Sequence, residues 1–119
     1  QSSFTTSSNS YVAVPGFSVT LTPTNSTSRF ITIANIYHSN SYGTQIRVCD
    51  SVYVNGSTIS GVCQSQNDGI GAMNIDFQTI YSPGNTSPQT FAIYTNQVYG
   101  NNTQLISGSS TLVVFEVAA

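Results

Sequence analysis

Few residues in this sequence could perform acid–base or nucleophilic chemistry. His38 is the only histidine, and the carboxylates are Asp50, Asp68, Asp76 and Glu116. A catalytic triad places a histidine between a nucleophile and an acidic residue, and nothing near the Tyr-His-Ser-Asn segment resembles a nucleophile elbow. We therefore predict that His38 is a surface loop residue at the end of a strand and that the chain is not an enzyme.

The carboxylates and possible metal ligands are equally scattered. Two carboxylates could form a glycosidase pair, but Asp68 lies in a turn signal and the other three acidic residues lie in separate strand-like runs. One histidine and two cysteines are too few for the usual zinc sites. The segment Asn67-Asp68-Gly69 is a turn signal that lacks the spacing of a calcium loop. We predict no hydrolytic activity, no cofactor and no metal ion.

The two cysteines, Cys49 and Cys63, are separated by thirteen residues. Asn55-Gly56 lies near the middle of this interval, and that dipeptide between two strand-like runs is a strong hairpin signal. A hairpin closed there would bring the cysteines together, so we predict that they form a disulfide. A loop of this size would stabilise the fold by about 3 kcal/mol through the entropy of the unfolded chain. The alternative is two buried free thiols.

Two further sets of residues are candidates for surface roles. Four N-glycosylation patterns fall in predicted loops and would be used only if the host glycosylates: Asn25, Asn55, Asn85 and Asn101. Three tyrosines lie next to turn signals and could form an exposed binding surface, with core or interface packing as the alternative: Tyr42, Tyr81 and Tyr99.

The composition favours a secreted or virion-surface protein. Charged residues make up 5% of the chain and lysine is absent, whereas globular domains usually contain about 25% charged residues. Two arginines cannot neutralise a phosphate backbone or form a basic face, which argues against nucleic acid and anionic lipid as partners. No run approaches the roughly 18 apolar residues that a membrane-spanning helix needs.

The elements that carry these residues follow a period of two. Apolar and polar residues alternate in Phe17–Thr22, whereas Arg29–Tyr37 is apolar on both faces, as in a central strand. Asp50 interrupts an alternating face within Arg47–Asn55, so we predict a bulge or an edge position there. The final run, Ser110–Val117, is rich in β-branched and aromatic residues and predicts a buried strand.

Turn signals separate about eight such runs at nearly regular spacing, and no window has helical spacing with caps. The pattern predicts a single all-β domain over residues 1–119, an antiparallel β-sandwich of jelly-roll type. Residues 1–10 are rich in Ser and Thr and are either an extended lead-in strand or a flexible tail.

Three segments carry a resemblance to a known group: YVAVPGFSVTLTP at Tyr11–Pro23, STSRFITIANI at Ser26–Ile36 and SGSSTLVVFEVAA at Ser107–Ala119. The chain resembles small tail-fibre and virion-surface domains of phages, which end in a similar Gly-Ser-Ser-Thr strand and a short acidic-apolar tail. The resemblance covers both ends of the chain. It implies a jelly roll similar to the C1q and tumour-necrosis-factor group, usually trimeric, with no catalytic residues. The cysteines depart from it, because cytoplasmically assembled phage proteins seldom use disulfides.

We therefore expect a non-enzymatic virion-surface module, such as a fibre tip, a receptor-binding domain or a capsid decoration. The alternative is a secreted or cell-surface adhesin or pilus-like filament subunit. We expect further copies of the chain to be its partners, in a closed trimer. Other virion proteins, or a glycan or protein of the host surface, are possible additional partners.

The expected trimer rests on two features of the sequence. The chain has none of the lysines that often protect edge strands, and Leu112–Val117 is apolar on both faces unless it is simply a central strand. Glu116 shares the face of Leu112 and Val114, so we expect it at the rim or paired with an arginine.

Overall fold

The computed structural model describes residues 4–41, 46–66, 70–99, 104–106 and 109–118. The strands in these residues are β1 (Phe4–Thr6), β2 (Val12–Leu21), β3 (Arg29–Ser41), β4 (Ile46–Val54), β5 (Ser57–Gln66), β6 (Ile70–Tyr81), β7 (Gln89–Tyr99), β8 (Gln104–Ile106) and β9 (Thr111–Val117). Within this described part, no helix is long and apolar enough to cross a membrane.

The strands form nested antiparallel pairs in two sheets. The innermost pair is β4 with β5, followed by β3 with β6, β2 with β7 and β1 with β8. Sheet A has the order β1-β8-β3-β6, with β9 also beside β3, and sheet B has the order β2-β7-β4-β5. This nesting is the jelly-roll arrangement, so the predicted antiparallel β-sandwich is confirmed.

The last two strands explain why the sequence suggested about eight. β8 pairs with His38–Asn40 of β3 and β9 pairs with Arg29–Asn35. The other side of β3 is occupied by β6 along both stretches. β8 and β9 therefore follow one another along the same side of β3 and act as one interrupted strand.

The core lies between the two sheets and is built by the inward side of each alternation. Its fully buried apolar residues come from strands of both sheets, among them Phe30, Ile36, Val52, Phe91 and Ile93. Phe30 of sheet A and Phe91 of sheet B meet with ring centroids 5.2 Å apart and tilted planes, a favourable aromatic geometry. Each such side chain contributes about 1.5–3 kcal/mol by leaving water.

Two turn signals have different outcomes. Asn55 and Gly56 have positive φ values of 53° and 85° and form the predicted tight turn between β4 and β5. Pro15-Gly16, in contrast, does not end a strand. It lies inside β2, where the register with β7 shifts between Ala13 and Ser18 and Gly16 takes a φ of 81°, as in a bulge.

Two predictions about polar residues are wrong. Asp50 is neither at a bulge nor at an edge, because it pairs with Val62 on one side and Thr95 on the other and is fully buried. His38 is not a surface loop residue, because β3 continues to Ser41 and holds His38 inside with 1% exposure. The physical reason is shared: these two side chains are hydrogen-bonded to each other inside the sandwich.

Candidate interaction surface

The outer surface of sheet A carries an apolar patch where β9, β3 and β6 lie side by side. Successive side chains of a strand point to opposite faces, and Phe30, Thr32 and Ala34 point into the core. Ile31 and Ile33 therefore point outward. The row of Ile31 continues into Phe115 and Ile80, and the row of Ile33 into Val113 and Gln78. We define the apolar face as Ile31, Ile33, Ile80, Val113 and Phe115.

The apolar face is open to solvent. Ile80 is 63% exposed, Val113 50%, and Ile33 and Phe115 42% each. Single exposed apolar residues are ordinary, but contiguous patches on soluble proteins often mark interaction sites. The prediction that the final strand is buried is therefore wrong for its outer side, because no second layer covers sheet A there among the described residues.

Residues of opposite charge lie at the two ends of the apolar face. Exposed Arg29 lies at the start of β3, and at the other end Asn35 pairs with Asp76 of β6. Asn35 donates a hydrogen bond from Nδ2 to Oδ1 of Asp76. The one ion pair found in the described residues lies in the interior, so Arg29 and Asp76 have no oppositely charged partner there. The face thus has a cation at one end and an anion at the other.

Two shallow grooves run over this same surface. One is lined by Ile33, Ala34, Asn35, Asp76, Phe77 and Gln78. The second is lined by Ile31, Gln78, Thr79 and Ile80. Both grooves lie between β3 and β6, and side chains from another protein surface could fit into them.

The acid–base pair of the described chain lies inside the sandwich. His38 Nε2 is 2.6 Å from Asp50 Oδ2, and the two side chains are 1% and 0% exposed. His38 Nδ1 is buried without a hydrogen-bond partner, so no nucleophilic hydroxyl engages the ring from that side. A pair sealed in this way holds β3 to β4 across the core and cannot contact a substrate.

The described residues contain no group of three or more His, Cys, Asp or Glu side chains placed to hold a metal ion. The turn signal Asn67-Asp68-Gly69 lies outside the described residues. The absence of metal and cofactor thus stays a prediction.

The outer surface of sheet B carries a cluster of half-buried tyrosines that the sequence did not single out. Tyr53 and Tyr94 stack with centroids 3.8 Å apart and planes 10° apart, and Tyr11 tilts against Tyr53 at 5.9 Å. A Cβ on Gly61 would lie 3.4 Å from the Tyr11 hydroxyl, so the glycine leaves room for it. Burial raises the pKa of Tyr11, and electrostatic interactions with Tyr53 and Asp50 raise it further by smaller amounts.

The three tyrosines predicted from turn signals do not form one described surface. Tyr81 is half-buried, packs against the core and meets Phe91 edge-on at 6.0 Å, which is the packing alternative. Tyr99 ends β7 opposite Arg47, and Tyr42 lies outside the described residues. The sequence signal failed for the sheet B cluster because its tyrosines lie within or beside strands and none directly adjoins a turn signal.

Three of the four predicted glycosylation sites lie in the described chain, and Asn101 lies outside it. Asn25 accepts hydrogen bonds from Thr27 through its amide oxygen. Asn85 donates from Nδ2 to the carbonyl of Pro83, and Asn55 donates from Nδ2 to Gln89 Oε1. These contacts do not test glycosylation, which remains a prediction.

The disulfide between Cys49 and Cys63 is present. The two residues are directly paired across β4 and β5, with Cα atoms 4.0 Å apart. Cys49 is buried and Cys63 is exposed. The bond therefore fixes the hairpin at sheet B's outer surface, as predicted from the position of Asn55-Gly56.

Glu116 lies at the rim of the sandwich, as expected, and its partners are not arginines. Its Oε1 accepts hydrogen bonds from the backbone N–H of Thr24 at 2.7 Å and from the Thr24 hydroxyl at 2.8 Å. Hydrogen bonds from the Ser28 side chain and from Thr24 hold its pKa below the usual value. The carboxylate thus ties the β2–β3 connection to β9.

Comparisons with known proteins define the class of architecture. No family model and no curated sequence matches the chain. The solved structures that are similar in fold include a sugar-binding domain, an insecticidal toxin and a subviral particle. The sugar-binding C-terminal domain of EclA has a TM-score of 0.53 at 13% identity, with 95% of this chain and 76% of that chain covered.

The other two are larger chains. The insecticidal delta-endotoxin Cry8Ea1 from Bacillus thuringiensis has a TM-score of 0.51 at 15% identity, with 97% of this chain and 19% of that chain covered. The VP2 subviral particle of infectious bursal disease virus has a TM-score of 0.52 at 13% identity, with 94% and 29% covered. At these identities the likeness shows the fold alone.

Proposed function

We propose that the chain is a non-enzymatic structural or binding module that works as a homo-oligomer on a virion surface or outside the cell. The observation that carries this proposal is the apolar face, which is exposed on a jelly roll whose histidine–carboxylate pair is sealed in the core. An exposed apolar surface of this kind often marks a site where a protein binds another protein, and the chain has few charges that would oppose such binding.

The virion setting is supported by two independent lines. The end segments resemble phage tail-fibre and virion-surface domains, and the fold is similar to a viral capsid protein. A fibre tip, a receptor-binding domain or a capsid decoration would all use a small oligomeric jelly roll. The sequence resemblance favours three subunits, whereas the charges at the ends of the apolar face favour a two-fold pair.

Glycan binding is a second candidate, favoured by the tyrosine cluster on sheet B. Aromatic side chains offer both an apolar ring and a polar hydroxyl to a ligand, and one structural neighbour is described as sugar-binding. A glycan array probed with the purified chain tests it. Binding that is lost in Tyr94→Ala and kept in Ser18→Asp, an exposed change elsewhere on sheet B, would support it.

Location tests the main proposal. An antibody raised against the folded chain should label intact virus particles from the culture that contains the protein. Labelling of filaments or of the cell surface would instead support the adhesin or pilus-like alternative. A chain confined to the cytosol and absent from particles would contradict both.

A further inference from the structure

The apolar face and the two charges at its ends form a self-complementary surface. We infer that it is the contact between two copies of this chain, related by a two-fold axis that lies in the interface and runs across the strands. The inference rests on the proposed homo-oligomer and names the surface and symmetry that it uses.

The register of β3 supplies the argument. Thr32 lies midway between Arg29 and Asn35, and Ile31 and Ile33 lie on either side of it. A two-fold rotation about an axis over Thr32, perpendicular to the strands, places the Ile31 row of one copy on the Ile33 row of the other. Such an interface is isologous, with each contact made twice.

The same rotation brings together the two residues of opposite charge, Arg29 and Asp76. It brings the row of Arg29 over the row of Asn35 in the second copy, where Asp76 lies one strand away. The attraction therefore occurs at both ends of the interface. An axis parallel to the strands would instead bring Arg29 onto Arg29, and juxtaposed like charges disfavour association. Charge complementarity thus selects the antiparallel pair among face-to-face dimers.

The packing geometry is compatible with this arrangement. Sheets stack face to face about 10 Å apart, and twist keeps their strands within about 30° of each other. Phe115 and Ile80 flank Ile31 in one row, and Val113 flanks Ile33 in the next. Side chains from these rows can interdigitate across the two-fold axis while the longer Arg29 side chain reaches Asp76 of the second copy.

The size of the face sets the strength of the contact. With strands about 4.8 Å apart and a rise of about 3.3 Å per residue, three strands over seven residues span about 14 by 23 Å. This is smaller than the roughly 800 Å² that each partner buries in a standard stable interface. The pair therefore forms at high local concentration, as on a particle, and dissociates when diluted.

Sedimentation equilibrium over micromolar to millimolar concentrations tests the inference. The wild-type chain should shift reversibly from one to two chains. Val113→Asp places a charge within the apolar face, on its β9 side, at a position that is 50% exposed, so the fold should survive. It should weaken association at least about tenfold, whereas the matched control Ser18→Asp on sheet B should not.

Charge reversal tests the two-fold register itself. Arg29→Asp and Asp76→Arg should each weaken self-association, because each creates like-charge contacts at both ends. An equimolar mixture of the two variants should associate again, since a mixed pair has opposite charges at both ends. Circular dichroism and thermal midpoints equal to wild type confirm that each variant is folded.

The outcomes are distinct. A mass of one chain at every concentration would overturn this inference and also the proposed homo-oligomer. A virion location shown by antibody labelling would still stand. A mass of three chains would overturn the two-fold pair and leave the homo-oligomer standing. Association that is unchanged by Val113→Asp would overturn the assigned surface. A mixture of the two charge-reversal variants that stays monomeric would overturn the assigned register.

Discussion

His38 Nε2 and Asp50 Oδ2 lie 2.6 Å apart in the core and join β3 of sheet A to β4 of sheet B. Both side chains have lost essentially all contact with water. A buried polar group costs stability unless it is hydrogen-bonded, so each residue is tolerated in the core only through the other. The second oxygen of Asp50 and Nδ1 of His38 make no hydrogen bond. Burying these two atoms therefore lowers the stability of the fold.

Breaking this pair from one side should be strongly destabilising. We expect Asp50→Ala to lower the free energy of unfolding by about 3 kcal/mol or more, because it leaves the imidazole buried without a partner. The double change His38→Leu/Asp50→Val should be clearly less destabilising than Asp50→Ala, since both polar groups are removed together. Urea unfolding measures both. A double variant at least as unstable as the single one would contradict the argument.

The disulfide should be a separate source of stability. Cys49→Ser/Cys63→Ser should lower the free energy of unfolding by about 2–4 kcal/mol, as expected for a loop of this size. A reducing agent should have a similar effect on the wild-type chain and little effect on the double variant. Unfolding midpoints measured with and without reductant test this. Equal midpoints for the oxidised and reduced wild type would show that the bond adds nothing.

Glu116 should contribute a pH-dependent part of the stability. Its pKa is lowered in the folded chain, chiefly by hydrogen bonds from Ser28 and Thr24. The unfolded chain therefore binds the proton more tightly, so this contribution is present above the usual pKa of 4.5 and is lost as the pH falls toward the lowered value.

Two variants of this site test the linkage. The destabilisation caused by Glu116→Gln should be largest near neutral pH and should shrink on acidification below the usual pKa of the carboxyl group. Thr24→Val removes the hydroxyl donor but keeps the backbone N–H, so its effect should be smaller and of the same sign. Urea unfolding at a series of pH values gives both curves. A difference between wild type and Glu116→Gln that does not change with pH would refute this role.

The sequence predicted those features of the fold that depend on the local pattern of residues. Alternation located most strands, and the Asn55-Gly56 turn fixed the pairing of Cys49 with Cys63, because these residues are close along the chain. The inward positions of His38 and Asp50 were missed, since the hydrogen bond that joins them spans the two sheets. Alternation alone does not reveal that partner.

The apolar face could be anticipated only in part. The sequence showed that β9 has apolar side chains on both sides, but the rows that it forms depend on long-range register. Ile31 meets Ile80 and Phe115, which lie far from it along the chain. The opposite charges at Arg29 and Asp76 become a pattern only when β3 and β6 are placed side by side.

The turn between β4 and β5 should require glycine at its second position. Gly56 has a φ of 85°, and a Cβ added there would meet no other atom within 4 Å. Any cost of Gly56→Ala therefore comes from the left-handed backbone alone, which disfavours a side chain by about 1–2 kcal/mol. The neighbouring exposed change Ser57→Ala should alter the free energy of unfolding much less. Urea unfolding of both variants with the disulfide intact decides, and equal effects would mean that the turn relaxes to accept alanine.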